Sequence, residues 1–136
     1  MEKTKKINEP VCAAEHTDEK QEQAILSQIP KEDIAVDAAA LFSQLSDSTR
    51  IRLLSILSLG GLCVCEIAHI LNMSQPAVSH HLRSLRQCGI VRFKKSGKRA
   101  VYYLNQNETG TIVKDMIADV CRKLEEQNGT PESEQQ

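Results

Sequence analysis

The chain has no tryptophan, and only two tyrosines and two phenylalanines among its 136 residues. A core with so few rings must be assembled from Leu, Ile, Val and Ala, which favours packed helices over a broad sheet. No apolar run is long enough to span a bilayer, and the charged N-terminus lacks the features of a signal peptide. The expected setting is therefore the cytoplasm, with no membrane partner. There the five cysteines stay reduced, and their odd number and uneven spacing are not a disulfide framework. No nucleophile stands beside a general base in any recognisable pattern, so an enzyme with a small organic substrate is not expected.

The most informative absence is local. From Ile67 to Asn107 there is no Asp or Glu, while Arg83, Arg86, Arg92, Lys94, Lys95, Lys98 and Arg99 all fall there. The rest of the chain holds ten basic and eighteen acidic residues, so +7 faces −8 inside a net charge of −1. An acid-free basic segment is the footprint of phosphate contact.

That segment has internal order. One apolar-periodic stretch ends at Leu71, Asn72-Met73 breaks it, and Ser74 is placed to cap a second stretch with Pro76 in its first turn. Val78, Leu82 and Leu85 recur at i, i+4, i+7 as a buried stripe, and Ser79, Arg83 and Arg86 line a polar face. Two short helices across a tight turn read as a helix-turn-helix. Ile90–Lys95 and Arg99–Leu104 are β-prone runs separated by Ser96-Gly97-Lys98, a hairpin with a glycine turn. The fold class expected is mainly α with a β-hairpin wing, a dimeric winged helix-turn-helix.

Three units are expected: an N-terminal arm over residues 1–31, the winged domain over 32–126, and a frayed tail over 127–136. The arm is polar, with a helical stretch from Asp18 to Ser27. After Pro30, Ile34, Ala38, Leu41, Phe42 and Leu45 repeat at helical spacing as a first core helix. Asp47 begins another, with Ile51, Leu53, Leu54, Ile56 and Leu57 inward until Gly60-Gly61. The last helix carries Val113, Met116, Ile117, Val120, Cys121 and Leu124, more apolar surface than so small a core needs. It is expected to form a dimer contact together with the first core helix.

Cys63 and Cys65 fall at the mouth of the helix that precedes the turn, where exposed N–H groups favour thiolate. Residues two apart in a regular helix point about 200° apart, so joint chelation requires Cys63 to sit at the cap. Small buried apolar residues are the alternative reading. Cys12 and His16 lie at ligand-like spacing in the arm and complete a Cys3His set, suited to tetrahedral Zn²⁺ or the softer Cd²⁺ and Pb²⁺. Cys88 and Cys121 are read as packing residues.

Four stretches together carry a family resemblance: Leu45-Ser-Asp-Ser-Thr-Arg50, Leu62-Cys-Val-Cys-Glu-Ile-Ala68, Ser74-Gln-Pro-Ala-Val-Ser-His-His-Leu-Arg83 and the wing Val91–Tyr103. With them the chain resembles the ArsR/SmtB metal-sensing repressors from about Asp33 to Glu126. The resemblance implies a homodimeric repressor that releases double-stranded operator DNA on binding excess metal. Within that family it is most similar to the cadmium/lead/zinc sensors, where a Cys-Val-Cys pair joins ligands from the arm. Cys63 and Cys65 match the pair, and Cys12 and His16 match arm positions. Some such sensors carry two arm cysteines, whereas here the second ligand is imidazole, a harder donor. The arsenic-sensing pattern has a third cysteine where this chain has Ala68, and the zinc site of the last helix needs histidine that this helix lacks.

The DNA-facing set expected on this basis is Ser74, Gln75, Ser79, His80 and Arg83 in the major groove, with Lys94, Lys95, Lys98 and Arg99 on flanking phosphates. A thiol redox regulator on the same scaffold, and an arsenite-responsive repressor, are the rival readings.

Overall fold

The computed structural model describes residues 8–129. Compact packing divides the chain into two units, residues 1–35 and 36–136. In the first, residues 8–18 have no regular structure and lead into helix α1 (Glu19–Leu26). The Asp18 carboxylate accepts from the Lys20 and Gln21 backbone N–H groups and caps the helix. No residue of α1 is buried. Residues 1–7, and 130–136 of the expected tail, lie outside the described residues.

The chain continues through α2 (Glu32–Leu45), α3 (Ser48–Leu57), β1 (Leu62–Cys63), α4 (Val64–Leu71), α5 (Gln75–Gln87), β2 (Val91–Ser96), β3 (Arg99–Leu104) and α6 (Glu108–Gln127). Leu53, Leu54 and Leu57 of α3 meet Ile67, Ala68 and Leu71 of α4, Val78, Leu82 and Leu85 of α5, Ile90, Val91, and Val113 and Ile117 of α6 in one core. None of its fully buried residues is aromatic, and Tyr102 packs against it half-buried. Asp47 starts α3 by accepting the Arg50 backbone N–H at 3.0 Å, which holds its carboxyl below the usual range.

α2 departs from its expected role as a core helix. Leu41 and Leu45 pack against the core, but no residue of α2 is buried, and Ile34 and Phe42 are each 55% exposed. Its apolar face is more than one copy of the domain covers.

Asn72 closes α4 in the left-handed conformation (φ 53°), so the chain reverses within three residues into α5. Ser74 Oγ accepts from the Ala77 N–H at 3.2 Å, and Pro76 lies in the first turn. The hairpin pairs Ser96 with Arg99, leaving a two-residue turn whose Gly97 (φ 64°) supplies the positive angle of a II′ turn. β1 then adds a third strand that the hydrophobic pattern did not announce. Leu62 pairs with Tyr102 and Cys63 with Val101, giving the antiparallel order β1-β3-β2. Among the described residues, no helix is long and apolar enough to cross a membrane.

Candidate functional site

Cys63 is simultaneously the last residue of β1 and the N-cap of α4, with extended backbone (φ −84°, ψ 165°). It is therefore outside the regular helix, the condition that joint use of the two thiols requires. The Cys63 and Cys65 sulfurs lie 2.9 Å apart. Cys63 is 6% exposed, whereas Cys65 faces solvent, so simple burial accounts for only one of the pair.

Two further groups complete the cluster. The Cys63 thiol donates to Glu66 Oε1 at 2.9 Å, and the same oxygen accepts the Cys63 backbone N–H at 3.2 Å. Arg99, the first residue of β3, donates from one guanidinium nitrogen to Cys63 Sγ at 3.0 Å and to Glu66 Oε1 at 3.2 Å. Hydrogen bonding to Cys63, reinforced by the Arg99 guanidinium, lowers the Cys65 thiol from its ordinary value. The Cys63 thiol and N–H, then Arg99, likewise hold Glu66 low, and Arg99 is raised, first by its bond to Cys63.

This donor set suits a soft divalent cation in its chemistry: two thiols, one predisposed to ionise, at a helix N-terminus. It is only half of a coordination sphere. Two sulfurs held at about 2.3 Å by a tetrahedral ion stand about 3.8 Å apart, so the pair would have to open by about 0.9 Å from its present spacing to hold one, a motion that exposed Cys65 can make. Among the described residues, no three Cys, His, Asp or Glu side chains come together as a group able to hold a metal ion. Cys12 and His16 are exposed and outside regular structure in the N-terminal unit.

The helix-turn-helix carries the expected polar residues at its surface. Gln75, His80 and Arg83 are exposed on α5, and Ser79 is half-buried. Ser74 is exposed, with its hydroxyl committed to capping. On the wing, Lys94, Lys95 and Lys98 are exposed, and among the described residues no carboxylate pairs with them or with Arg83. The Arg86 guanidinium lies 4.8 Å from the Phe93 ring centroid, bracing α5 against β2, and Lys94 Nζ lies 5.8 Å from that of Tyr103. Arg99 is the exception among the expected phosphate contacts, because its guanidinium is turned onto the thiol cluster.

One set of contacts was not read from the sequence. Arg50 Nε donates to His81 Nδ1 at 3.1 Å, and its NH1 donates to Gln44 Oε1 at 2.8 Å. His81 of α5 is thereby tied to α3 and the end of α2 as a packing residue, leaving His80 on the open face. The Leu45–Arg50 stretch marked the segment without showing which partner its arginine takes.

Residues 47–92, from the cap of α3 to the start of the wing, match the bacterial regulatory protein arsR family. A cadmium resistance transcriptional regulatory protein CadC homolog of Staphylococcus aureus is 41% identical over 88 residues, covering 61% of this chain and 73% of that protein. The transcriptional repressor SmtB homolog of a Synechocystis strain is 33% identical over 110 residues, covering 81% and 83%. Among solved structures, Mb0332 of Mycobacterium bovis, a homodimeric winged helix-turn-helix DNA-binding domain, aligns with a TM-score of 0.57 at 25% identity, covering 83% of this chain and 91% of that one. From the capped recognition helix, the three-stranded wing and these similarities together, the chain belongs to the arsR family of bacterial regulatory proteins and is one of its winged helix-turn-helix transcriptional regulators.

Proposed function

We propose that this regulator is a homodimeric repressor that leaves its operator when Cys63 and Cys65 take up a thiophilic divalent ion, Cd²⁺, Pb²⁺ or Zn²⁺, so that metal efflux or resistance genes are expressed. The observation that carries this reading is the 2.9 Å approach of the two sulfurs at the N-cap of α4. It is supported by relatives whose names include a cadmium resistance regulator and an SmtB repressor. Cys12 and His16 are assigned the remaining ligand positions on their residue types and spacing, which makes residues 1–31 the ligand-bearing arm of the winged domain over 32–126. Four such ligands close the sphere to a catalytic water, in keeping with a sensor and not an enzyme.

The operator face consists of Ser74, Gln75, Ser79, His80 and Arg83, with Lys94, Lys95 and Lys98 on phosphates. The partner subunit is a second copy of this chain. Phe42, Leu45 and Ile51 with Met116, Val120 and Leu124 line an apolar groove of about 310 Å³, and Phe42, Val120 and Leu124 are more than half exposed around it. A copy related by twofold symmetry covers the same face on both subunits.

The proximity of two free thiols also favours a redox regulator as the second reading. An arsenite sensor is less well supported, because Ala68 of α4 sits in the core where a third thiolate is needed. The test is a titration of operator release from reduced protein by Cd²⁺, Pb²⁺, Zn²⁺ and arsenite in turn, with a sulfur-to-metal absorption band followed in parallel. Release by divalent ions under reductant supports the metal sensor. Release only by oxidants overturns it in favour of the redox reading.

A further inference from the structure

Arg99 stands among the wing cations in sequence, yet its guanidinium is not presented with them. A single nitrogen bridges Cys63 Sγ at 3.0 Å and Glu66 Oε1 at 3.2 Å, thirty-six and thirty-three residues away in the chain. The Arg99 and Glu66 side chains are 61% and 44% exposed, so solvent screens this ion pair and it does not hold the fold together. Its importance is where it puts the wing. β3 begins at Arg99 and pairs with β1 through Cys63 and Val101, so the hairpin is fastened to the thiol cluster twice, by the backbone ladder and by this side chain. Lys95 and Lys98 lie next to that fastening, at the hairpin end.

We propose that Arg99 is the positioning residue that reports the state of the thiol pair to the wing. It is held on Cys63 and Glu66 while the sulfurs are metal-free, and it is released when they are committed to a divalent cation. The guanidinium and the cation are both positive and both approach Cys63 Sγ, so a bound cation repels Arg99 from the position it now holds. With Arg99 bound, the hairpin has one pose and its lysines meet the phosphates in register. With Arg99 free, core packing of Val91 and the Arg86–Phe93 contact still hold the hairpin base, but only the two-residue strand pairing restrains the part nearer the tip, and the phosphate contacts weaken.

This inference rests on the metal-sensor reading above, and one experiment separates the two. Operator affinity is measured for wild type and Arg99→Gln, each metal-free and Cd²⁺-loaded under reductant, and Cd²⁺ affinity is measured by competition with a chromophoric chelator. A simple phosphate contact at Arg99 lowers operator affinity equally in both metal states and leaves their ratio unchanged. A positioning role collapses the ratio: the metal-free variant falls to within threefold of Cd²⁺-loaded wild type, and Cd²⁺ then weakens binding less than twofold further. The variant also binds Cd²⁺ no more weakly than wild type, because a competitor has been removed. A ratio equal to that of wild type within twofold, or a tenfold loss of Cd²⁺ affinity, overturns the role of Arg99 and leaves the sensor reading standing. Wild type that holds its operator equally with and without Cd²⁺ overturns both.

Discussion

Replacing Cys63 by serine isolates the sulfur from the structure around it. Cys63 caps α4, and serine is among the residues preferred at such a cap, where its hydroxyl accepts from the first-turn N–H groups. The hydroxyl can also keep the donor and acceptor roles toward Glu66 and Arg99 that the thiol fills now, so no buried polar group is orphaned. The better cap contributes roughly 0.5–2 kcal/mol relative to a non-capping side chain. Exchanging a 6%-exposed sulfur for a smaller, more polar oxygen costs a comparable amount. Cys63→Ser is therefore expected to unfold within about 1 kcal/mol of wild type and to keep metal-free operator affinity, read by anisotropy of a duplex selected on the metal-free protein. Coupling between two ligands typically lies at about 1–3 kcal/mol, a 5–150-fold weakening of DNA binding. In the serine variant this factor is expected to fall below about twofold, since one of the two sulfurs is gone. Metal-induced release that survives the substitution refutes the site. A loss of more than about 2 kcal/mol refutes the account of Cys63 as a cap that serine can replace.

Other perturbations test separate parts of the structure. A Cβ on Gly110 would sit 1.7 Å from the Asn105 backbone oxygen, so Gly110→Ala must shift the start of α6; a loss of about 1–3 kcal/mol or more is expected in urea unfolding, and wild-type stability would contradict that seat. Asp47→Ala removes the α3 cap and is expected to cost about 0.5–2 kcal/mol at neutral pH. Because the folded-state Asp47 carboxyl is lowered, its contribution is present above the unfolded value and disappears as pH falls through the folded one; a mutational cost constant from pH 7 to well below the carboxylate range would contradict this. Phe42→Glu places a charge in the apolar groove between α2 and α6 and is expected to yield folded monomer in sedimentation equilibrium, where the proposed twofold pairing makes wild type a dimer. An unchanged dimer would move the interface elsewhere.

Much of the domain was legible because it is built from local rules. The stripe of Val78, Leu82 and Leu85, the Ser74 cap with Pro76, the Asp47 cap and the glycine turn each depend on residues within about two turns of one another. β1 was not legible, since two residues cannot display an alternation and Leu62-Cys63 is a strand only because β3 lies beside it. The half-exposed Phe42 shows a different limit: helical spacing reveals that a face must be covered but not what covers it. The contacts of Arg50 and Arg99 were not legible for a third reason. Long cationic side chains choose partners across the fold, His81 and Gln44 in one case and Cys63 with Glu66 in the other, and no spacing encodes those choices.

The double duty of Cys63, final rung of a ladder and foot of a helix, bears on how metal preference could diversify on this scaffold. Its main chain is spoken for from both directions, so altering its backbone would disturb sheet and recognition unit alike. Cys65 is exposed on the first turn of α4 and its main chain carries no such double commitment. If the thiol pair is the metal site proposed above, retuning for harder or softer ions has its cheapest route through the side chain of Cys65, around a Cys63 backbone that stays fixed.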